Sequence, residues 1–318
     1  RRSPGPPHGA MSAAPDRMAV LRRRAIVASV SVAGTLAAVK LTAWLITGSV
    51  AVLSSLLDST MDVAASLVMF YAVRVSLEPP DRSHRYGHGK AEPLGALAQA
   101  AFIVGSGLFL VFEAVGRFVT PQPVMQAEVG YTVMAVSIVL TLGLIVYQRR
   151  VIHETRSLAI RADWLHYVGD LAMNLAVIVS LVLAVEVGWT WADPVFAVGI
   201  AVILMHSAVK VALGALDQLM DRELPADQRR RIARILRAHP EVVDFHDLRS
   251  RESGMRRFIE VHVELDPTMT VEAAHAICDQ LEAELADAFR NADILIHQEP
   301  AGLEDDRLDS VIENGGRG

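Results

Sequence analysis

Cysteine is nearly missing from this chain. Cys278 is the single one among 318 residues, which excludes an internal disulfide framework and any cysteine-based zinc site. It reads as a small apolar residue on an amphipathic helix. A nucleotide-binding motif is missing too: no Gly-rich loop ends in Gly-Lys-Ser or Gly-Lys-Thr, so neither a nucleotide nor a nucleic acid is expected as a partner. The zincin pattern fails because His153-Glu154 is followed by Ser157 where a second histidine is required, which weakens the case for a metal-dependent hydrolase. The first residues, Arg1 to Arg17, are rich in Pro, Gly and Arg and have no apolar core. They do not form a signal peptide, and residues 1–21 read as a disordered tail. The sequence opens on Arg, and Met11 or Met18 is expected as the natural start.

Basic residues are missing from one set of turns. Thr47–Ser49 and Gly188–Ala192 carry no Lys or Arg, with Arg117 the main exception on that side. The opposite set is rich in them: Arg22, Arg23 and Arg24; Arg74, Arg82, Arg85 and Lys90; Arg149, Arg150, Arg156 and Arg161; Arg222, Arg229, Arg230 and Arg231. By the positive-inside rule, both termini are expected in the cytoplasm.

What is present in excess is apolar surface. The chain is 52% hydrophobic, with a mean hydropathy of +0.33, and the apolar residues come in long runs, which marks a membrane protein. Six segments run roughly Arg24–Ile46, Val50–Ser76, Pro93–Val119, Glu128–Tyr147, Ser157–Val187 and Asp193–Leu216. Each is near or above the roughly 20 residues that a membrane helix needs. Residues 22–220 are therefore read as a six-helix transmembrane domain.

After Asp221 the composition becomes mixed. Ala226–Ala238 has helical spacing, Val242–Arg249 and Arg257–Leu265 read as strands, Val271–Phe289 as a second amphipathic helix with Thr270 as N-cap, and Asp293–His297 as a short strand. In the second strand, Phe258, Val261, Val263 and Leu265 interleave with Glu260, His262 and Glu264. The order α-β-β-α-β predicts a small two-layer α+β domain over 221–300. Residues 301–318 are polar and read as a disordered tail.

Charge within the apolar segments carries the chemistry. Asp58 and Asp62 lie one turn apart on one helix face, with Ser54 and Ser66 extending the stripe; His166, Asp170 and Asn174 form a matching stripe. An ionised group at the bilayer centre costs about 2.5–3.5 kcal/mol on insertion scales, and intramembrane cations are few. A divalent metal alternating with protons is the expected partner. One imidazole and three carboxylates suit a four-coordinate zinc ion, and other divalent metals fit the same set. Polar groups that merely join helices are usually Ser, Thr, Asn or Gln. Lys40, inside the first span, either snorkels to the interface or pairs with an acid on a neighbouring helix. Asp163 and Trp164 are expected at the membrane interface, one capping and one anchoring.

Two further clusters stand out. Asp81, His84 and His88 lie in the loop after the second segment and form either an open metal entry site or a solvated loop. His246, His262, His275, His297 and Glu299 lie in the soluble domain, with His297 and Glu299 on one strand face. Together they point to a metal-sensing or dimer-linking site, though each alone reads as a surface residue.

Four stretches carry a family resemblance: Leu57-Asp58-Ser59-Thr60-Met61-Asp62, His84-Arg85-Tyr86-Gly87-His88-Gly89-Lys90-Ala91-Glu92, Ala162-Asp163-Trp164-Leu165-His166-Tyr167-Val168-Gly169-Asp170, and Ile296-His297-Gln298-Glu299-Pro300. With them, Arg22 to Pro300 resembles the cation diffusion facilitator family. The resemblance implies a homodimer in the bacterial inner membrane, with six membrane helices per protomer and a metallochaperone-like cytoplasmic domain. It implies export of divalent metal in exchange for protons, with Zn2+ first and Fe2+ or Cd2+ next. Asp58, Asp62, His166 and Asp170 match the family's transport site, and Asp81, His84 and His88 its loop site. His246, His262, His275, His297 and Glu299 match its cytoplasmic site, where metal is structural or regulatory. His166 resembles the zinc-type branch. Glu299 departs from the aspartate usual at that position. The rival expectations are a membrane-anchored metal sensor and an intramembrane metalloenzyme.

Overall fold

The computed structural model describes residues 17–48, 50–119, 128–189, 191–289, 291–302, 307–309 and 312. Six long helices come first: α1 Arg17–Thr47, α2 Val50–Ser76, α3 Ala91–Val119, α4 Glu128–Thr155, α5 Leu158–Val182 and α6 Ala192–Leu219. A π-helical turn, Leu183–Val187, extends α5. Among the described residues, five of the six are long and apolar enough to cross a membrane. The exception is α5, which carries Arg161, Asp163 and Asp170 within its length. The remaining elements are α7 Ala226–Ala238, β1 Asp244–Ser253, β2 Arg256–Leu265, α8 Val271–Ala288 and β3 Ala292–Pro300, which is the expected α-β-β-α-β order.

The chain divides into two compact units. The first comprises residues 1–81 and 91–215, the second residues 82–90 and 216–318. The loop after α2 thus belongs with the second unit.

The helical unit packs through small residues. An added Cβ on Gly95 of α3 would lie 2.5 Å from the Ala72 Cβ of α2, and one on Gly169 of α5 would lie 2.7 Å from Leu204 of α6. Small side chains let helix backbones approach where lipid supplies no hydrophobic drive between them. Polar groups inside are joined. Arg22 of α1 pairs with Glu92 of α3 at 2.5 Å and donates to the Thr155 carbonyl at 2.8 Å. Ser157 donates to the other Glu92 oxygen at 2.6 Å and, as N-cap of α5, accepts from the Ile160 amide at 3.3 Å. Arg22 and Glu92 are almost wholly buried, so this one ion pair ties α1 and α3 to the turn between α4 and α5.

Two sequence expectations change here. Asp163 does not cap α5: it is fully buried and accepts from Gln148 Nε2 of α4 at 2.6 Å, while Ser157 serves as the cap. Trp164 is packed among apolar side chains of the helical unit. Ser157 caps α5 well ahead of Asp163, so Asp163 lies within the helix and not at its cap. Lys40, half-buried, donates to the Ser59 hydroxyl at 2.6 Å and the Ser55 carbonyl at 3.2 Å, both on α2.

In the second unit, β1 pairs antiparallel with β2, and β2 pairs parallel with β3. Ile259, Val261, Val263 and Leu265 face the helices and pack with Ile232 and Leu236 of α7 and Ile277, Leu281 and Leu285 of α8. Ile259 therefore leads the apolar row, and Phe258 lies on the opposite face, where the Arg251 guanidinium stacks on it and on Tyr86. Gly89 lies against the Ser253 carbonyl, with no room for a Cβ. Thr270 caps α8 by accepting from the Ala273 amide. A bulge between His246 and Arg249 places Asp247 at a φ of 52°.

The tail beyond Ala301 is not wholly detached. The amides of Leu308 and Asp309 donate to Asp247 at 2.9 and 3.0 Å, and the Asp247 amide donates to Asp309 at 2.9 Å. Burial alone would raise the Asp247 carboxyl, but these amides, with His246 and His262 nearby, hold it below the usual carboxylate range.

Two expectations follow. Arg22→Met should destabilise the helical unit by about 3–5 kcal/mol, because Glu92 is left charged and buried. Replacing both partners with apolar residues should recover most of that loss, as read by unfolding in mixed micelles. Cys278 is buried, and burial, followed by the Glu282 and Asp279 charges, pushes its thiol up. Since the thiolate is the nucleophile, alkylation at neutral pH should be slow until the protein is denatured; equal rates in both states would refute this.

Candidate metal centres

The first centre lies between α2 and α5. Asp62, His166 and Asp170 each offer one ligand atom, and these atoms lie within 4.8 Å of one another. His166 Nε2 is 3.2 Å from an Asp62 oxygen and 3.8 Å from an Asp170 oxygen. The i, i+4 spacing sets His166 and Asp170 on one face of α5, and α2 supplies the second carboxylate. His166 Nε2 is buried yet makes no well-aligned hydrogen bond among the described residues. An imidazole nitrogen facing two carboxylates is a metal-type donor set once the ring gives up its proton.

Tyr167, next to His166, fixes this part of α5. Its hydroxyl lies 2.9 Å from Ser66 Oγ of α2 and 3.2 Å from Ser29 Oγ of α1, and it donates to the Ser29 carbonyl at 3.2 Å. Ser66 is thus a helix-joining group. The expected fourth ligand is not in the cluster: Asp58 is exposed and lines an open groove with Ala98, Phe102 and Ser106 of α3.

The second centre is the loop after α2. The His84 and His88 imidazole centroids are 4.5 Å apart, and Asp81 precedes them in sequence. Asp81 and His84 are exposed and His88 is half-buried.

The third centre is a product of strand register. His246 pairs with His262 across β1 and β2, and His262 with His297 across β2 and β3. Their rings stand 5.2 and 4.8 Å apart in a row, on the face turned away from the helices. Glu264 and Glu299 pair two residues further on. His246, His262 and Glu299 offer ligand atoms within 4.8 Å. Glu299 lies 2.8 Å from His262 Nδ1 and 3.3 Å from His246 Nε2. His246 is 5% exposed, and its Nε2 has no hydrogen-bond partner among the described residues. The orphaned buried nitrogen, the second imidazole and the carboxylate fit a divalent metal.

Not every expected residue joins this centre. His297 sits at its rim, largely exposed, with Nε2 3.3 Å from Glu299. His275 lies outside it: α8 packs on the apolar face of the sheet, and His275 is exposed beside Asp279 at 3.9 Å. The sequence reading missed Glu264, which accepts from His246 Nδ1 at 3.1 Å and from Arg307 at 2.7 Å. Its place two residues beyond His262 on the same strand was the available signal; nothing local marks Arg307.

Two family models cover most of the chain: the cation efflux transmembrane domain matches residues 26–220, and the cation efflux protein cytoplasmic domain matches residues 224–301. A cation-efflux pump FieF from Shewanella oneidensis is 46% identical over 277 residues, 87% of this chain and 93% of the relative. One from Klebsiella pneumoniae is 43% identical over 280 residues, 88% of this chain and 93% of the relative. A metal-bound C-terminal domain of the CzcD transporter from Thermotoga maritima is 31% identical, spans 25% of this chain and 93% of that one, and has a TM-score of 0.24. Two domain matches in sequence order, with relatives alike over nearly their whole length, place this multi-pass membrane protein in the cation efflux (cation diffusion facilitator) family, whose members are divalent-metal transporters and not enzymes.

Proposed function

We propose that this protein is a proton-coupled antiporter that moves divalent metal out of the bacterial cytoplasm across the inner membrane, with Zn2+ the first substrate and Fe2+ or Cd2+ next. The observation that carries the reading is the convergence of Asp62 from α2 with His166 and Asp170 from α5. These residues hold the transported ion, and Asp58 is the nearest further carboxylate on the α2 stripe. Metal binding needs a neutral imidazole and ionised carboxylates, so protons and metal compete for the same atoms. A site alternately open to each side then exchanges one for the other.

The loop residues Asp81, His84 and His88 serve as a weaker, exposed metal site near entry. His246, His262 and Glu299, with His297 at the rim, hold a regulatory or structural metal in the cytoplasmic domain. Charge balance is what a bound divalent ion supplies there, since it neutralises Glu299 between two imidazoles. The cytoplasmic domain joins two copies as a homodimer, and both termini face the cytoplasm. Glu299 is longer by one methylene than the aspartate the resemblance implies, and it still reaches both imidazoles.

The test is zinc flux into proteoliposomes that hold a zinc-responsive dye, with an acidified lumen so that protons leave as zinc enters. Wild-type flux should depend on the gradient, and Asp62→Ala should abolish it. Asp58→Ala should reduce flux less than Asp62→Ala does, because Asp58 stands outside the three-residue cluster. Acidifying the loading side should slow uptake, since protons then occupy the ligand atoms. Gradient-independent flux, or full flux in Asp62→Ala, would overturn the mechanism. Metal binding without flux in the wild type would favour a sensor.

A further inference from the structure

The cytoplasmic centre has an attachment that the transport reading does not use. The segment at 307–309 is bound on both sides of His246. On one side, the Leu308 and Asp309 amides donate to the Asp247 carboxylate, and the Asp247 amide donates back to Asp309. Asp247 is the residue after His246, held at the bulge in left-handed backbone. On the other side, Arg307 donates to Glu264 Oε1 at 2.7 Å, and that same oxygen is 3.1 Å from His246 Nδ1. His246 and Glu264 are both buried.

The chemistry of this chain is directional. A carboxylate can only accept, so His246 carries its proton on Nδ1 toward Glu264. In the neutral ring Nε2 is then the lone pair, and this is the atom that lies buried, without a well-aligned hydrogen bond among the described residues, 3.3 Å from Glu299. Carboxylate–histidine–metal arrangements use this pattern to fix ring orientation and tautomer. Glu264 is itself a buried anion, and the Arg307 guanidinium supplies the charge-assisted hydrogen bond that keeps its oxygen in place.

We propose that Arg307 and Glu264 are positioning residues of the cytoplasmic metal centre, so that docking of the segment at 307–309 and metal binding at His246, His262 and Glu299 stabilise each other. This rests on the reading of that cluster as a metal centre. The segment reports on the centre because it grips both the ligand strand next to His246 and the carboxylate behind the ring. By linkage, whatever tightens the metal must also tighten the segment.

The experiment uses the full chain in detergent and Co2+ as the probe. Its d–d absorption is followed during titration, and the signal of this centre is the part lost in His246→Ala. Arg307→Met and Glu264→Gln should each weaken that binding by about 10- to 100-fold, the usual effect of losing an outer partner of a ligand histidine. Arg307→Lys should keep most of the affinity, because an ammonium can still hold Glu264. Amide hydrogen exchange supplies the second readout: Zn2+ should slow exchange at Leu308 and Asp309 in the wild type and not in His246→Ala. Unchanged Co2+ affinity in Arg307→Met, or exchange at Leu308 and Asp309 that ignores Zn2+ in a protein that binds it, overturns the proposal and leaves the centre standing. A wild type with no Co2+ signal that depends on His246 removes the centre itself, and this proposal with it.

Discussion

The cost of holding charge away from water organises the helical unit. Asp62 on α2 faces His166 and Asp170 on α5, and ionised groups held at membrane depth are costly until a proton or a metal offsets them. The surroundings are arranged to hold that meeting. Tyr167 binds Ser29 and Ser66, which pins α5 to α1 and α2 one residue from the histidine. Gly169 lets Leu204 of α6 come close on the other side of the same turn.

A second buried charge system does structural work. Arg22 and Glu92 neutralise each other, and the spare capacity of each goes to Thr155 and Ser157. The two systems differ in chemistry. The Arg22 pair sets a permanent cation opposite a carboxylate, with further hydrogen bonds to Thr155 and Ser157. The cluster of Asp62, His166 and Asp170 has two acids and one histidine and holds no permanent cation.

The cytoplasmic domain reaches a similar donor set by another route. Three strands in register stack His246, His262 and His297 in a row, with Glu264 and Glu299 behind them. One sheet face goes to the helices and is apolar, so the other is free to carry ligands. The bulge at Asp247 then adds a docking point for the segment at 307–309, which reaches Glu264 as well.

Local pattern was enough to reveal the helices, the strand order, the cap at Thr270 and the paired stripes of Asp62 with His166 and Asp170. Helical and strand periods are short-range, and apolar runs and i, i+4 spacing can be read without knowing what packs against them. What the stripes could not tell was which members meet. Asp58 and Asp62 are equivalent on paper, yet among the described residues only Asp62 lies within ligand distance of His166 and Asp170. His275 shares a domain with the cytoplasmic cluster but lies on the helix that covers the other face. Asp163 looks interfacial from its neighbours and is buried against Gln148 of α4. Glu264 and Arg307 gain their roles only from contacts 18 and 43 residues apart in the chain. Residue type and spacing thus determined the class of chemistry, and tertiary packing decided its members, because a ligand cluster needs atoms within a few ångströms and only the folded chain sets those distances.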